Sequence, residues 1–443
     1  MTLVRIHPSG PLGGYIVAPP SKNYSTRLIL GASLAEGTST VRRPAANDDA
    51  RALVSCCRSL GASIKEIGGD LRVTGFGGRP RNPVRLNPGN AGAVLRLLLG
   101  TACLVEGEVE FVTEHMDSLG KRPNEDLLKA LRQLGAEASG TGEDGRLPIR
   151  IAGGRGRVRG GAVRVSGRRS SQFLSSLLYL CPFLDGDSRI DVGDDEGEPV
   201  LVSAPLIDQT QDALGQFGVA LGRGVSGFAF NVPGNQAAKA ADLAVNGDWP
   251  SAAALMACVA AAGGMATVYG LRDDAQGERR AADCLGAMGC KFMSPRDGEL
   301  MIHSTGELTA TSFNGDLATD AVLVLIGAAC LAEGTSRFEN IGNLRLKESD
   351  RIREPLEELA KLGVGARSGE DWIEIDGNPD GYEGGVEVDS RGDHRVAQML
   401  AIVGTRCRRG LTIARAEHIS KSYPDFFADL ARLGVKIDVE KSA

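Results

Sequence analysis

SKNYSTRLILGASLAEGTSTV, residues 21–41, opens on polar and charged side chains, runs through small apolar ones, stops at Gly37 and continues as a β-like stretch. The same phrase returns five more times. It reads GNAGAVLRLLLGTACLVEGEVEF from Gly89, SSQFLSSLLYLCPFLDGDSRIDV from Ser170 and GDWPSAAALMACVAAAGGMATVYG from Gly247. It reads TDAVLVLIGAACLAEGTSRFENI from Thr319 and GDHRVAQMLAIVGTRCRRGLTI from Gly392. The closing glycines (Gly37, Gly107, Gly186, Gly264, Gly334, Gly410) recur every 70 to 80 residues, which marks an internal repeat. In each copy the polar residues stand at the start of an apolar helix. Helix starts carry unpaired N–H groups and the positive end of the dipole, so six of them would favour anions.

A second phrase alternates with the first: an amphipathic helix ending in Leu-Gly-Ala or a variant, around Gly61, Gly135, Gly218, Gly289, Gly363 and Gly434. NEDLLKALRQLGAEA from Asn124 and REPLEELAKLGVGA from Arg353 show three-and-four spacing with a charged face, so they are expected at the surface. The apolar helices have no polar face and are expected to be buried on all sides. Each unit reads strand, apolar helix, strand, amphipathic helix, two strands. The fold class expected is α/β (α+β), with six βαβαββ repeats, three per domain. The first domain is expected over residues 21–244 and the second over 1–20 plus 245–443, with a seam near residues 238–250. The N-terminal strand, LVRIHPSG, is free to pair with the second half.

The 443 residues are 42% hydrophobic, 24% charged and only 5% aromatic, with 59 glycines. That suits close-packed helices rather than nucleic-acid bases stacked on aromatic rings. The net charge of −6 argues against nucleic acid as the main partner. Nine cysteines include no C-x-x-C pair, so buried free thiols are expected rather than a zinc site or a disulfide framework. The start, MTLVRIHPSGPLGG, lacks the apolar core of a signal peptide, and a soluble cytoplasmic protein is expected. Residues 252–271 approach the ~20 residues of a membrane span, but they contain Gly263-Gly264 and read as a buried helix and strand.

No G-x-x-x-x-G-K-[ST] occurs, no G-x-G-x-x-G opens a helix after a strand, H-E-x-x-H is missing, and five scattered histidines make no metal site. What remains is cations, hydroxyls and amides near helix starts. Lys22 and Arg27 lie about a turn apart; Ser170, Ser171 and Gln172 open the third copy; His394 and Arg395 open the sixth. Lys121-Arg122-Pro123, the run RLKESDRIRE with Lys347, Glu348 and Arg351, and Lys421 stand outside the starts. Each has a plain structural reading: a Ser or Asp start caps its helix, and KESDRIRE makes i,i+4 ion pairs on a solvated face. Those readings do not explain why so many coincide with one repeat.

At these residues the chain resembles the enolpyruvyl transferases, most closely those whose acceptor is shikimate 3-phosphate. The matching motifs are P-S-K at 20–22, G-N-A-G at 89–92, K-R-P at 121–123, S-S-Q-F at 170–173, N-x-x-x-K-E-S-D-R at 343–351, D-H-R at 393–395 and K-S-Y-P-D at 421–425. They run in the family's order over essentially the whole chain. The resemblance implies a two-domain inside-out α/β barrel, with the active site in the cleft between the domains. It implies transfer of the enolpyruvyl group of phosphoenolpyruvate to the 5-hydroxyl of shikimate 3-phosphate, on the way to chorismate, by a monomer needing no cofactor, metal, nucleic acid or membrane. Lys22, Asp320 and Glu348 are the implied catalytic residues. Lys22, Asn23, Arg27, Ser170, Ser171, Gln172, Ser203, Asp320, Asn343 and Lys347 would hold shikimate 3-phosphate. Lys22, Asn90, Gly92, Arg122, Gln172, Arg351, His394, Arg395 and Lys421 would hold phosphoenolpyruvate. Asp320 would take the hydroxyl proton, and Glu348 would protonate and deprotonate the methylene carbon.

Departures from the family pattern are Pro20 for Gly, Asn23 for Ser, Ala93 for Thr and Leu206 for a frequent Tyr. The alternative acceptors are UDP-N-acetylglucosamine, whose enzymes share a Lys-Asn pair like Lys22-Asn23, and a secondary-metabolite acid. S-S-Q-F, K-E-S-D-R and D-H-R favour shikimate 3-phosphate. An RNA 3′-phosphate cyclase-like protein shares part of the repeat architecture, but the acidic balance and the D-H-R setting of His394 argue against it.

Overall fold

The computed structural model describes residues 2–194 and 199–441. The chain forms two compact units, one of Pro20–Val245 and one of Met1–Pro19 with Asn246–Ala443. Twelve α-helices occur among the described residues: α1 Lys22–Leu34, α2 Asp48–Ser59, α3 Gly92–Ala102, α4 Glu125–Gln133, α5 Gln172–Leu180, α6 Pro205–Gln216, α7 Trp249–Ala262, α8 Arg280–Ala287, α9 Val322–Ala329, α10 Arg353–Ala360, α11 His394–Gly404 and α12 Phe426–Arg432.

Among the described residues six four-stranded sheets share one topology. The second repeat shows it. Arg85–Leu86 runs parallel to Gly107–Phe111, which pairs antiparallel with Arg146–Gly153, which pairs antiparallel with Glu137–Thr141. The apolar α3 is the crossover between the parallel strands, because parallel neighbours cannot be joined by a tight turn. The last two strands form a hairpin. Three repeats borrow a strand from a distant part of the chain. The first takes Asp242–Ala244, parallel to Thr38–Arg42, so the 20–245 unit closes on itself. The fourth takes Leu12–Val17, parallel to Gly264–Tyr269. The sixth takes Thr2–Ile6, which lies between Leu411–Ala414 and the C-terminal Ile437–Lys441. The N-terminal segment therefore belongs with the C-terminal half.

Both glycine positions of the repeat have a backbone cause. Gly37, Gly107, Gly186, Gly264, Gly334 and Gly410 all have positive φ, and so do Gly61, Gly135, Gly218, Gly289, Gly363 and Gly434. Any residue with a Cβ is strained there, so the sequence repeats wherever the turn repeats. Each unit has its own apolar core, built on α1, α3 and α5 in one and α7, α9 and α11 in the other. Every residue of α7 and of α9 is buried. Each fully buried Val, Leu or Ile contributes about 1.5–3 kcal/mol. The apolar run at 252–271 resolves into the end of α7 and the strand Gly264–Tyr269. Among the described residues no helix is long and apolar enough to cross a membrane. Small residues let the inner helices approach: a Cβ on Gly100 of α3 would stand 2.6 Å from the Ser176 Oγ of α5. Instead the Gly100 N–H donates to that oxygen at 3.1 Å. All nine cysteines are buried and free, and burial pushes Cys57 up to about 12, which disfavours the thiolate.

Candidate functional site

In the 20–245 unit, α1 brings Lys22, Asn23 and Arg27 together. Ser21 caps the helix by accepting the Tyr24 N–H. Lys22 Nζ lies 3.7 Å from Asp49 of α2. Arg27 is buried, and its guanidinium donates to Thr210 Oγ1 (3.0 Å), the Asn23 carbonyl (3.1 Å) and the Leu206 carbonyl (3.0 Å). Leu206 thus reaches Arg27 through its backbone, although it has no hydroxyl to offer. Just before α6, Ser203 is buried with φ of 53°, a conformation that costs a non-glycine residue energy and concentrates at functional sites.

The second cluster of this unit centres on Arg96, which the sequence reading passed over. It is buried in the apolar helix α3. Its guanidinium donates to Ser170 Oγ (3.1 Å), Gln172 Oε1 (3.0 Å), Asn124 Oδ1 (3.3 Å) and the Pro123 carbonyl (3.2 Å). The Phe173 ring lies under it at 4.9 Å. Ser170 and Gln172 are thereby tied to the Lys121-Arg122-Pro123 segment, whose Arg122 carbonyl accepts from Asn124 at 2.9 Å. Ser170 also accepts the Gln172 N–H at 3.2 Å, whereas Ser171, the N-cap residue, makes no side-chain capping bond to the helix. Ser171 is buried at the N-cap position of α5. Gly92, the first residue of α3, faces Arg122: a Cβ on Gly92 would stand 2.5 Å from Arg122 Nη1. Asn90 is half-buried in the turn before α3, whose Gly89 carbonyl accepts from Thr113 at 2.6 Å. Lys121 itself is exposed and faces Asp117 at 3.9 Å.

In the other unit Arg351 is the hub. Its side chain is 2% exposed. It donates to Asp393 through Nε (2.7 Å) and Nη2 (3.1 Å), to Glu348 Oε2 (2.9 Å) and to Asp320 Oδ1 (3.4 Å). Burial works against this charge, but Asp393, Glu348 and Asp320 outweigh it and raise the arginine's pKa. Lys421 Nζ lies 2.7 Å from Glu348 Oε1, and Arg395 reaches Asp320 at 3.9 Å. Asp393 also caps α11 by accepting the Arg395 N–H at 2.8 Å, and it accepts from Ser349 Oγ at 3.1 Å. KESDRIRE is therefore no solvated helix face: Ser349 and Arg351 point inward, and α10 begins only at Arg353. His394 is buried, with Nδ1 3.7 Å from Asp393. Asn343 is buried and Lys347 half-buried in the segment leading to the hub, where the Arg351 N–H donates to the Leu344 carbonyl at 3.3 Å.

Three cations (Arg351, Arg395, Lys421) thus stand among three carboxylates (Asp320, Glu348, Asp393). These cations are paired with carboxylates and not left to repel one another. Buried arginine without partners is too costly to keep, and the compensating aspartates come from distant segments. Glu278 is a further carboxylate that the sequence did not flag. It is 5% exposed, and its Oε1 accepts the Asp320 N–H at 3.4 Å. In the sequence it sits in a charged run, GERR, which looks like surface. Arg96 did leave a signal, a lone charge inside GAVLRLLLG.

Residues 6–430 match the family described as EPSP synthase (3-phosphoshikimate 1-carboxyvinyltransferase). The chain belongs to the EPSP synthase family. A 3-phosphoshikimate 1-carboxyvinyltransferase of Deinococcus radiodurans is 42% identical to it, over 98% of this chain and 96% of that protein. One from Methanopyrus kandleri is 40% identical, over 96% of each. The solved EPSP synthase of Acinetobacter baumannii superposes with a TM-score of 0.80 at 26% identity, covering 100% of both chains. The mixed α/β architecture described above is that of the EPSP synthases.

Proposed function

We propose that this chain transfers the enolpyruvyl group of phosphoenolpyruvate to the 5-hydroxyl of shikimate 3-phosphate and releases phosphate. The arrangement that carries the proposal is Arg351 held jointly by Asp320, Glu348 and Asp393, with Lys421 on Glu348. The reaction adds an alcohol across the double bond of an enol phosphate and then expels phosphate, so it needs two separate acid–base groups and cations for the leaving group. Asp320 takes the proton of the 5-hydroxyl as its oxygen bonds to the enol carbon. Glu348 delivers a proton to the methylene carbon, giving a tetrahedral intermediate. When the bond between the carbon and the phosphate oxygen breaks, Glu348 takes a proton back from the methyl group, the double bond returns, and the proton held by Asp320 leaves with the phosphate. Lys421, 2.7 Å from Glu348, keeps that carboxylate within reach of the carbon and offers charge to the departing phosphate.

Binding is divided by chemistry. Arg27, Ser170, Ser171, Gln172, Ser203, Asn343 and Lys347, with Asn23 beside Lys22, hold the shikimate carboxylate, hydroxyls and 3-phosphate. Asn90, Gly92, Arg122, Arg351, His394, Arg395 and Lys421 hold phosphoenolpyruvate, and Lys22 serves both. The support is the anchoring of each group: Arg96 fixes Ser170 and Gln172, and Asp393 fixes Arg351. Incubation with phosphoenolpyruvate and shikimate 3-phosphate tests it. Phosphate should appear only when both are present; release without the acceptor, or none with it, refutes the proposal.

A further inference from the structure

Glu278 lies in a short 3₁₀ turn, Gly277–Arg279, between two helix starts. On one side is the start of α7, where Asp248 accepts the Ser251 N–H at 3.0 Å. Gln276 ties the turn to that start: it accepts the Trp249 N–H at 3.0 Å and donates to the Gly247 carbonyl at 2.9 Å. On the other side is Asp320, just before α9, whose N–H donates to Glu278 Oε1 at 3.4 Å. Glu278, Asp248 and Gln276 are all at least nine-tenths buried. A surface role for the GERR run is thus excluded at Glu278.

We propose that Glu278 is a positioning residue for Asp320: it holds the Asp320 backbone by accepting its N–H, and it sets the basicity of the Asp320 carboxylate by gaining or losing its own proton beside it. The proposal rests on the reading of Asp320 as the base that takes the hydroxyl proton. Two carboxylates buried side by side do not readily ionise together, so they titrate as a coupled pair. Charged groups acting on Glu278 include Asp320 before α9, Asp248 at the start of α7 and Arg395 on α11, and Arg351 donates to Asp320 at 3.4 Å. Burial first, then the charges of Asp320 and Asp248, push Glu278 up to about 7, against the pull of its own backbone N–H and of Arg395. Arg351 at 3.4 Å and Arg395 at 3.9 Å stand beside Asp320, so the proton that the pair shares falls on Glu278. An ionised Glu278 makes Asp320 a stronger base; a protonated one makes it weaker.

Glu278→Gln keeps the N–H acceptor and removes the titration. The wild-type profile of kcat against pH should show an inflection near 7 that Glu278→Gln lacks. Above pH 8 the variant should turn over about three- to ten-fold more slowly, the effect of a base weakened by about one unit or somewhat more. A glutamine that merely filled space would leave the inflection in place, and that result overturns the proposal. Carbon-13 NMR of glutamate side-chain carboxyls gives a reading that needs no Glu278 variant. One glutamate of the intact wild-type protein should titrate near 7, and in Asp320→Asn it should titrate lower, because its negative neighbour is gone. No such resonance, or one that does not move, also overturns it. Turnover of Asp320→Asn separates the two levels: near-normal turnover refutes Asp320 as the base. Lost turnover together with an unmoved Glu278→Gln profile refutes Glu278 alone.

Discussion

Gly92→Ala gives a sharp test of how phosphoenolpyruvate is held. Gly92 is the first residue of α3 and does not need left-handed backbone, so alanine costs nothing in conformation and slightly favours the helix. The difficulty is space. The new Cβ would stand 2.5 Å from Arg122 Nη1 and 3.5 Å from its Cζ, whereas ordinary contact begins near 3.4 Å. The guanidinium tip must therefore withdraw by about 1 Å, enough to spoil a hydrogen bond whose normal N···O distance is about 2.9 Å. A charge-assisted bond is worth about 1.5–3 kcal/mol, so the KM for phosphoenolpyruvate should rise by about 10- to 150-fold. Steady-state kinetics with each substrate varied in turn is the assay. The KM for shikimate 3-phosphate should move far less, and the melting temperature should hold or rise slightly. Gly100→Ala, in the same helix, is the control. Its Cβ would meet Ser176 Oγ at 2.6 Å and the Ser176 carbonyl oxygen at 2.7 Å, and a backbone atom cannot swing away. That variant should lose about 1–3 kcal/mol of stability with the KM for phosphoenolpyruvate unchanged. An unchanged KM in Gly92→Ala would refute the placing of Arg122 on phosphoenolpyruvate.

Asp320→Asn and Glu348→Gln should each lower kcat by about 10²- to 10⁴-fold with substrate binding largely kept, measured by turnover and calorimetry; near-normal turnover in either removes its assigned role. Arg96→Lys should raise the KM for shikimate 3-phosphate by about ten-fold or more, because an ammonium cannot serve Ser170, Gln172, Asn124 and the Pro123 carbonyl at once; an unchanged KM would show that Ser170 and Gln172 hold their places without it. Glu358 is buried in α10 and accepts from Lys361 (2.6 Å), Arg391 Nε (2.8 Å) and the Asp389 N–H (2.8 Å). Burial opposes its charge, but these donors together hold its pKa below the ordinary carboxylate value. Its stabilisation is therefore complete above the unfolded pKa of about 4.3 and fades as pH falls through the lower folded value. Glu358→Gln should melt well below wild type at pH 7, and the gap should narrow as pH falls below the unfolded carboxylate value; a gap independent of pH would mean that the charge is not what stabilises.

The repeat itself was legible in the sequence. The helix-closing glycines and the Leu-Gly-Ala glycines answer to single φ angles, and the apolar and amphipathic periods answer to which face a helix buries; both are local causes that leave a mark every 70 to 80 residues. The motifs at Lys22, Ser170, Glu348 and Arg395 were legible for the same reason, since each is a short run of unusual residues at a recognisable place. Which strand completes which sheet was legible only in part: the N-terminal strand was free to pair with the second half, but no neighbouring residue encodes its place between Leu411–Ala414 and Ile437–Lys441, or the return of Asp242–Ala244 to Thr38–Arg42. Nor was the electrostatic balance. Arg351 is neutralised by Asp393, 42 residues away, and by Asp320, 31 residues away, and Arg96 meets Ser170 across 74 residues. Glu278 looked like surface because burial belongs to the packed unit, not to a run of letters. Sequence alone determined the elements and the kinds of chemistry, because these depend on a residue and its near neighbours. Tertiary structure decided the partners of each charge, because the cost of burying it is met only by groups that folding brings from elsewhere.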